Sequence, residues 1–491
     1  MMRTILTVLL MAAVFFMVST TTWAQDDKGC EAPKCECIDC PDYPCCECRK
    51  AKPDPCPAKY NNRRFLENWR PCLCVPKCDR GDWSDWYKAY PLTRNKSIWV
   101  DVGGQVRARW ESFGNIGFGA PADPHDTWML FRARAHADVH FGNHFRLFAE
   151  GIYANQWENR ELGPRPVDRN LGDLLNLFVE GKVDGGFGEG GLWVGRRELQ
   201  TAKQRLVSPL DWSNTRRTFQ GIGGWWSKGF HKVDAWVTNP VVIDHDDWDD
   251  VNEDVAFWGA EYTNSTRTCM TWGAYLYGLN NDTARDENRY TVGARVDGKI
   301  PNTRFDYDTE AAYQFGDQAG NDVSAWMFSG TFGWKPCTAC GDPRLGVGFD
   351  YASGDSDPTD GTVGTFNQLF PLAHKYLGHA DILARQNLVA ARVEGSYKLF
   401  DKLTFKGWFH AFWRADTNDA AYGVTGGVLR PAGGNSDSEL GTELDLMLAY
   451  KIDRHWTAFV EWAHFFTGSF IDNTGAHKDV DVWYLSIQGT F

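Results

Sequence analysis

From Trp99 to Phe491 the chain repeats one short pattern: about ten residues whose alternate side chains are apolar, a turn or loop, then another such stretch. Trp99 to Glu111 puts Val100, Val102, Val106, Ala108 and Trp110 on one face and Asp101, Gln105, Arg107, Arg109 and Glu111 on the other. The next stretch sets Phe131, Ala133, Ala135, Ala137, Val139 and Phe141 against Arg132, Arg134, His136, Asp138 and His140. In the final stretch Trp483, Leu485, Ile487 and Phe491 alternate with Val482, Tyr484, Ser486, Gln488 and Thr490, and only Gly489 breaks the apolar row. Successive side chains of a strand point to opposite faces, so each stretch meets two different solvents. Strands this long, greasy on one face and wet on the other, fit a closed barrel with lipid outside and water within.

The rest of the composition agrees. Met1 to Gln25 carries one early cation, Arg3, then an apolar run from Ile5 to Val18 and the small-residue site Thr22-Trp23-Ala24, the pattern of a secretory signal peptide spanning 1–24. No other long apolar run follows. A membrane protein this polar cannot be helical, because only a closed barrel satisfies its backbone in lipid without continuous apolar runs. The 23 tryptophans suit girdles at the two water–lipid boundaries.

Short turns are predicted near Gly142-Asn143, Gly185-Gly186, Gly229-Phe230, Ser265-Thr266, Pro301-Asn302, Cys337 to Gly341, Phe400-Asp401 and Asp453-Arg454. Between them lie mostly longer loops centred near Ala120, Pro164, Pro209, Asp247, Asp282, Gly320, Thr362, Gly426 and Thr474. Short and long connections alternate, as they do when turns face the periplasm and loops face outside. The fold class is therefore all-β: a transmembrane antiparallel β-barrel of about 18 strands over residues 99–491, both ends periplasmic, preceded by a small Cys-rich periplasmic segment over residues 25–98.

Eleven of the fourteen cysteines fall between Cys30 and Cys78. That stretch is rich in proline and has no periodic apolar face, so cross-links must order it. Disulfides are one answer in an oxidising periplasm. A metal or iron–sulfur site is the other, from Cys35-x-Cys37-x-x-Cys40 and Cys45-Cys46-x-Cys48, although the spacings match no standard zinc pair of pairs. The absence of Cys-x-x-Cys-His excludes covalent c-type haem.

Strand polarity assigns Arg107, Arg109, Arg132, Arg134 and Arg146 to the lumen, and Arg196-Arg197 and Arg216-Arg217 add pairs in which one member faces inward. Asp306, Asp308 and Glu310 line another inward face, as do Glu439, Glu443 and Asp445. Basic and acidic walls opposed across a lumen would create a transverse field that selects charged solutes; internal salt bridges bracing a wide barrel are the compatible alternative. Residues 99–491 hold 36 Lys and Arg against 52 Asp and Glu. Part of that acid, Asp244, Asp246, Asp247, Asp249, Asp250, Glu253 and Asp254, sits in an outer loop, either solvated or bridged to anionic lipid by divalent cations. Inward aromatics such as Trp408 and Phe412 suit sugar stacking or packing inside the barrel. His136, His140, His410 and His464 lie in no nucleophile motif, so no enzyme activity and no cofactor are expected.

Val194-Gly195-Arg196-Arg197-Glu198-Leu199, Gln204-Arg205-Leu206 and Asp211-Trp212-Ser213-Asn214-Thr215-Arg216-Arg217-Thr218-Phe219-Gln220-Gly221 resemble the signature of the alginate export family of outer-membrane porins. So do Tyr351-Ala352-Ser353-Gly354-Asp355, Gly361-Thr362 and Thr365-Phe366-Asn367-Gln368-Leu369-Phe370-Pro371, followed by His374. The resemblance implies an 18-stranded barrel in the bacterial outer membrane whose lumenal arginines, among them Arg196, Arg197, Arg216 and Arg217, contact an acidic polysaccharide. The Cys-rich extension lies outside it. The partners expected are anionic polysaccharide or oligosaccharide, outer-membrane lipid, and a periplasmic or cell-wall partner of the Cys-rich segment, with no nucleic acid. A general or anion-selective porin for small solutes, and an envelope anchor working through the Cys-rich segment, are the competing readings.

Overall fold

Eighteen long strands, from Ile98–Gly114 to Val480–Thr490, form one antiparallel sheet that closes on itself. The computed structural model describes residues 56, 59–76, 80–121, 124–158, 163, 165–245, 247–267, 269–336 and 341–491, all within one unit. The signal peptide and the clustered cysteines from Cys30 to Cys48 lie outside the described residues. Closure joins the first strand to the last, in register from Gln105 opposite Thr490 to Gly114 opposite Asp481. Gly104 and Phe491 extend the seam by exchanging backbone hydrogen bonds of 2.8 and 3.0 Å. A closed seam is required because lipid offers no partner to an open strand edge.

The alternation read from the sequence is the barrel's two-sidedness. In strand Asp126–Phe141, Trp128, Leu130, Arg132, Arg134, His136 and Asp138 are all buried on the inner side. On the outer side Val194, Val237, Trp326, Phe349, Phe409 and Leu485 are each 44–58% exposed. A belt of half-exposed large apolar residues would be an aggregation hazard in water and is the ordinary surface of a protein in lipid. Among the described residues no helix is long and apolar enough to cross a membrane.

Most predicted turns stand where the glycines and prolines put them, as at Gly142, whose φ of +63° starts the tight turn into Phe145–Trp157. Three local readings change. Ser265 and Thr266 lie inside strand Val255–Arg267, and the turn falls just after it. The connection near Gly320 is only Ala319-Gly320, a tight turn at the end where the other connections are longer. Glu439 does not share the inward face of Glu443 and Asp445: Phe412 pairs with Gly441 but Trp413 pairs with Glu439, and this β-bulge breaks the simple alternation.

The described part of the Cys-rich extension does not stand apart from the barrel. Cys56 and Cys72 form a disulfide across a Cα separation of 5.0 Å. Around it the chain makes three short 3-10 turns, Arg64–Leu66, Arg70–Cys74 and Trp83–Tyr87. The Phe65 ring then packs edge-on against Phe148 and Phe178 of the inner wall, at 5.4–5.7 Å between centroids. This segment sits in the mouth of the barrel as a plug, held from both walls. Arg146 donates to the Phe65 carbonyl at 2.8 Å, and Arg64 donates to the Phe491 carbonyl at 2.7 Å. Lys88 reaches the Val102 carbonyl at 2.8 Å. Gly103 makes room for it, since a Cβ there would lie 2.4 Å from the Lys88 ammonium.

Candidate solute pathway

Two connections turn into the barrel instead of away from it: residues 198–218 and residues 353–387. They carry apolar side chains that a solvated loop would not use. Leu199, Leu206, Val207 and Phe366 are buried with Phe219 and Phe257 of the wall, and Leu369 and Phe370 pack against the same group. The two segments meet in a short parallel bridge, Val207 with Phe370. Ser208 donates to the Phe370 carbonyl at 2.9 Å, and Phe370 donates back to Leu206 at 2.8 Å. Together they narrow the lumen across its middle.

The predicted pore arginines hold the first of these segments in place. Arg107 donates to the carbonyls of Asp211 and Ser213 at 2.8 and 2.6 Å. Arg109 donates to the Trp212 carbonyl at 2.6 Å and stacks its guanidinium 4.3 Å over the Trp212 ring. Arg132 bonds the Asp211 carboxylate at 2.9 Å and Gln105 at 2.7 Å. Arg216 pairs with Asp211 and Glu198 and donates to Asn62 of the plug at 2.9 Å. Burial by itself would raise the Asp211 carboxyl, but Arg216, Arg132, Arg107 and Arg134 hold it well below the usual carboxylate range.

The other arginines are also engaged. Arg134 pairs with Glu150 at 2.9 Å, and Arg146 with Glu180 at 2.6 Å and Asp138 at 3.2 Å. Arg197 lies on the inner side with Trp193 and covers the Phe65 ring at 4.5 Å. Arg196, beside the outward Val194, reaches Asp173 at 3.2 Å and the Asp249 carbonyl at 2.9 Å. Asp249 itself is buried, so this member of the acidic outer loop is not a solvated charge. Arg217 donates to the Ser208 carbonyl at 3.2 Å.

The acidic positions do not form a bare wall facing the arginines. Arg205, from the inward segment, reaches across to Asp308 at 2.7 Å and Glu310 at 3.3 Å, and Arg344 pairs with Asp306 at 2.7 Å. Asp308, Glu310 and Asp350 hold the Arg205 guanidinium charged against the cost of its burial. Glu443 and Asp445 lie beneath the second inward segment, where Ala380 donates to Glu443 at 2.8 Å and His410 lies 3.3 Å from Asp445. The acids of this wall thus meet partners at hydrogen-bond range, Arg205 from an inward segment and Arg344 from the wall itself, which is the internal bracing that the sequence left open beside a transverse field. Phe412 is fully buried and stacks on His410, while Trp408 packs against His379 at 4.5 Å. His136 and His140 stack on Phe148 and Trp99, and His464 bonds Asp481 at 2.7 Å.

Two cavities bear on the pathway. The central one, about 360 Å³, is lined by Arg107, Arg109, Gln204, Trp212, His374 and Gln488 among others. The one at the mouth, about 580 Å³, lies between the plug and the wall beside Arg146, Arg197 and Trp225. Of the residues that line or brace this interior, Arg205, Trp212 and His374 stood in the sequence only as parts of the family resemblance, and Asn62 was not singled out. The signal that sequence reasoning passed over was the apolar content of the two connections, Leu199-x6-Leu206-Val207 and Leu369-Phe370, which no solvated loop requires.

The comparisons accord with this architecture. Residues 98–484 match the family described as alginate export. Among solved structures, the chain resembles the outer membrane protein OpdK of Pseudomonas aeruginosa, with 13% identity, a TM-score of 0.55, and coverage of 80% of this chain and 98% of that one. OpdQ of the same organism gives 13%, 0.55, 80% and 97%, and OccAB2 of Acinetobacter baumannii 12%, 0.54, 79% and 98%. At such identities these structures speak for the fold alone. No curated protein sequence matches significantly. Because the family match runs from the first barrel strand into the last, the chain belongs to the alginate export family, and it is a non-enzymatic channel of the bacterial outer membrane.

Proposed function

We propose that the channel passes anionic sugar polymers or oligomers of the alginate type, with Arg107 and Arg109 as the central contact. The observation that carries this reading is the central cavity between one face of the wall and the inward segments, where two guanidiniums, an indole, three amides and a histidine stand beside the already paired Asp211 carboxylate. A guanidinium engages a carboxylate through paired charge-assisted hydrogen bonds, an indole stacks on a pyranose face, and amides serve hydroxyls. Uronate carboxylates recur along such a polymer, so weak repeated contacts of this kind can hand it onward. Both arginines are already bonded to the inward segment through carbonyls. A carboxylate would compete for those donors and loosen the segment it displaces, coupling passage to opening.

The experiment is single-channel recording of the purified chain in planar bilayers. Polyuronate is expected to block the current at concentrations where neutral dextran of equal size does not. Equal block by both polymers would overturn the anionic reading and favour a general porin.

A further inference from the structure

We propose that the lumen holds a divalent metal ion of the zinc class, bound by His374 and His379 of the second inward segment and by Glu461 of the barrel wall. One donor atom from each of the three lies within 4.8 Å of the others, and all three residues are buried. The donor set is two imidazoles and one carboxylate, which suits zinc and its neighbours; calcium and magnesium would call for oxygen ligands throughout.

The charge balance around these residues asks for a cation. Four carboxylates, Asp381, Glu443, Asp445 and Glu461, converge where residues 374–381 pack on strands Glu439–Lys451 and Trp456–Thr467. Among the described residues none of the four forms an ion pair with lysine or arginine. Histidines lie beside three of them: His374 beside Asp381, His410 beside Asp445 and His379 beside Glu461. One oxygen of Glu461 has no hydrogen-bond partner, although the side chain is only 1% exposed. Buried carboxylate oxygens left without a donor are rare in folded proteins, and an ion is one of the few things that satisfies them.

The surroundings also orient the donors. Asp381 lies 3.0 Å from His374 Nδ1 and accepts from Trp212 Nε1 at 2.8 Å. A carboxylate on one imidazole nitrogen fixes the tautomer and turns the other nitrogen toward a metal. The Trp212 ring lies flat on His374 at 3.5 Å and fixes the plane of that imidazole. Tyr484 donates to the His379 carbonyl at 2.9 Å. Gly378 lets the backbone rest directly on Glu443, since a Cβ there would come within 2.4 Å of that carboxylate. The bound ion would fasten the inward segment to the wall, making the central narrowing a metal-stapled element.

The test uses the full chain in detergent with its thiols alkylated, so that the clustered cysteines cannot bind metal. Titration with Co2+ is expected to give visible d–d absorption saturating at one equivalent, displaced by Zn2+. His374→Gln and Glu461→Gln should each abolish it, while His144→Gln, at an exposed position, should leave it intact. Absence of the band in the parent chain, or an unchanged band in both site variants, would overturn the proposal. Should either variant lose the heat-modifiable mobility of a folded barrel, X-ray absorption on the zinc-loaded parent decides, because a shell without two imidazoles contradicts the site. These outcomes do not depend on which solute the channel passes.

Discussion

At the scale of single residues, the plug hangs on Phe65. Its ring is 1% exposed and wedged between two wall phenylalanines and a guanidinium. Truncating a buried phenylalanine to alanine costs about 3–5 kcal/mol. Most of that cost falls on docking, because Phe65 belongs to the plug and its neighbours to the wall. Phe65→Ala is expected to speed hydrogen exchange of the amides of residues 64–75 by about 100-fold, the factor that corresponds to about 3 kcal/mol. Exchange unchanged in that segment would mean the ring contributes nothing to holding it. Asp211 makes a different kind of claim, about pH. Its docked carboxyl titrates below the ordinary value of about 3.9, so its contribution is complete above that value and is lost only as pH falls through the docked one. Channel conductance should therefore be flat from pH 7 to pH 5 and should rise only below about pH 4. A rise with a midpoint near 6 would point to a histidine and contradict the assignment to Asp211.

At the scale of elements, the two inward connections behave as one body because Arg205 ties them together. Its guanidinium spans to the acids on strand Phe305–Gln318, and its carbonyl accepts from Arg385 of the other segment at 3.1 Å. Arg385 in turn pairs with Asp350 at 2.9 Å. Removing one partner of a buried ion pair leaves an uncompensated charge and costs about 3–5 kcal/mol, whereas replacing both partners is far cheaper. Arg205→Met should lower the thermal midpoint of the barrel in detergent, and adding Glu310→Gln should recover part of the loss. If the double variant were less stable than the single one by the full cost of a second lesion, the pair would not be coupled. The same reasoning explains why arginines legible as lumenal from alternation are not free in the lumen. A cation inside a barrel finds carbonyls and carboxylates on whichever segment folds in beside it.

At the scale of the whole molecule, the barrel was readable because strand alternation is a local property. Val100, Val102 and Val106 against Asp101, Gln105 and Arg107 already announce two solvents, and eighteen such stretches leave no other closed arrangement. What fills the barrel was not readable, because it depends on pairs far apart in sequence: Arg64 with Phe491, Phe65 with Phe148, Val207 with Phe370. Composition marked the Cys-rich segment as a separate extension, yet its described end is bonded to the barrel wall through Arg64, Phe65 and Lys88. The lumen is consequently narrowed twice, by the plug at one end and by the inward segments at its middle. Two narrowings in series set the conductance by the tighter one. Deleting residues 26–90 should therefore raise solute access from the mouth inward without opening the central narrowing. A bulky thiol-free reagent that labels His136, buried beneath the plug, should gain access, while single-channel conductance should change by less than about twofold, the narrower resistance still being in place. A tenfold rise in conductance on deletion would instead make the plug the main barrier and the inward segments a vestibule.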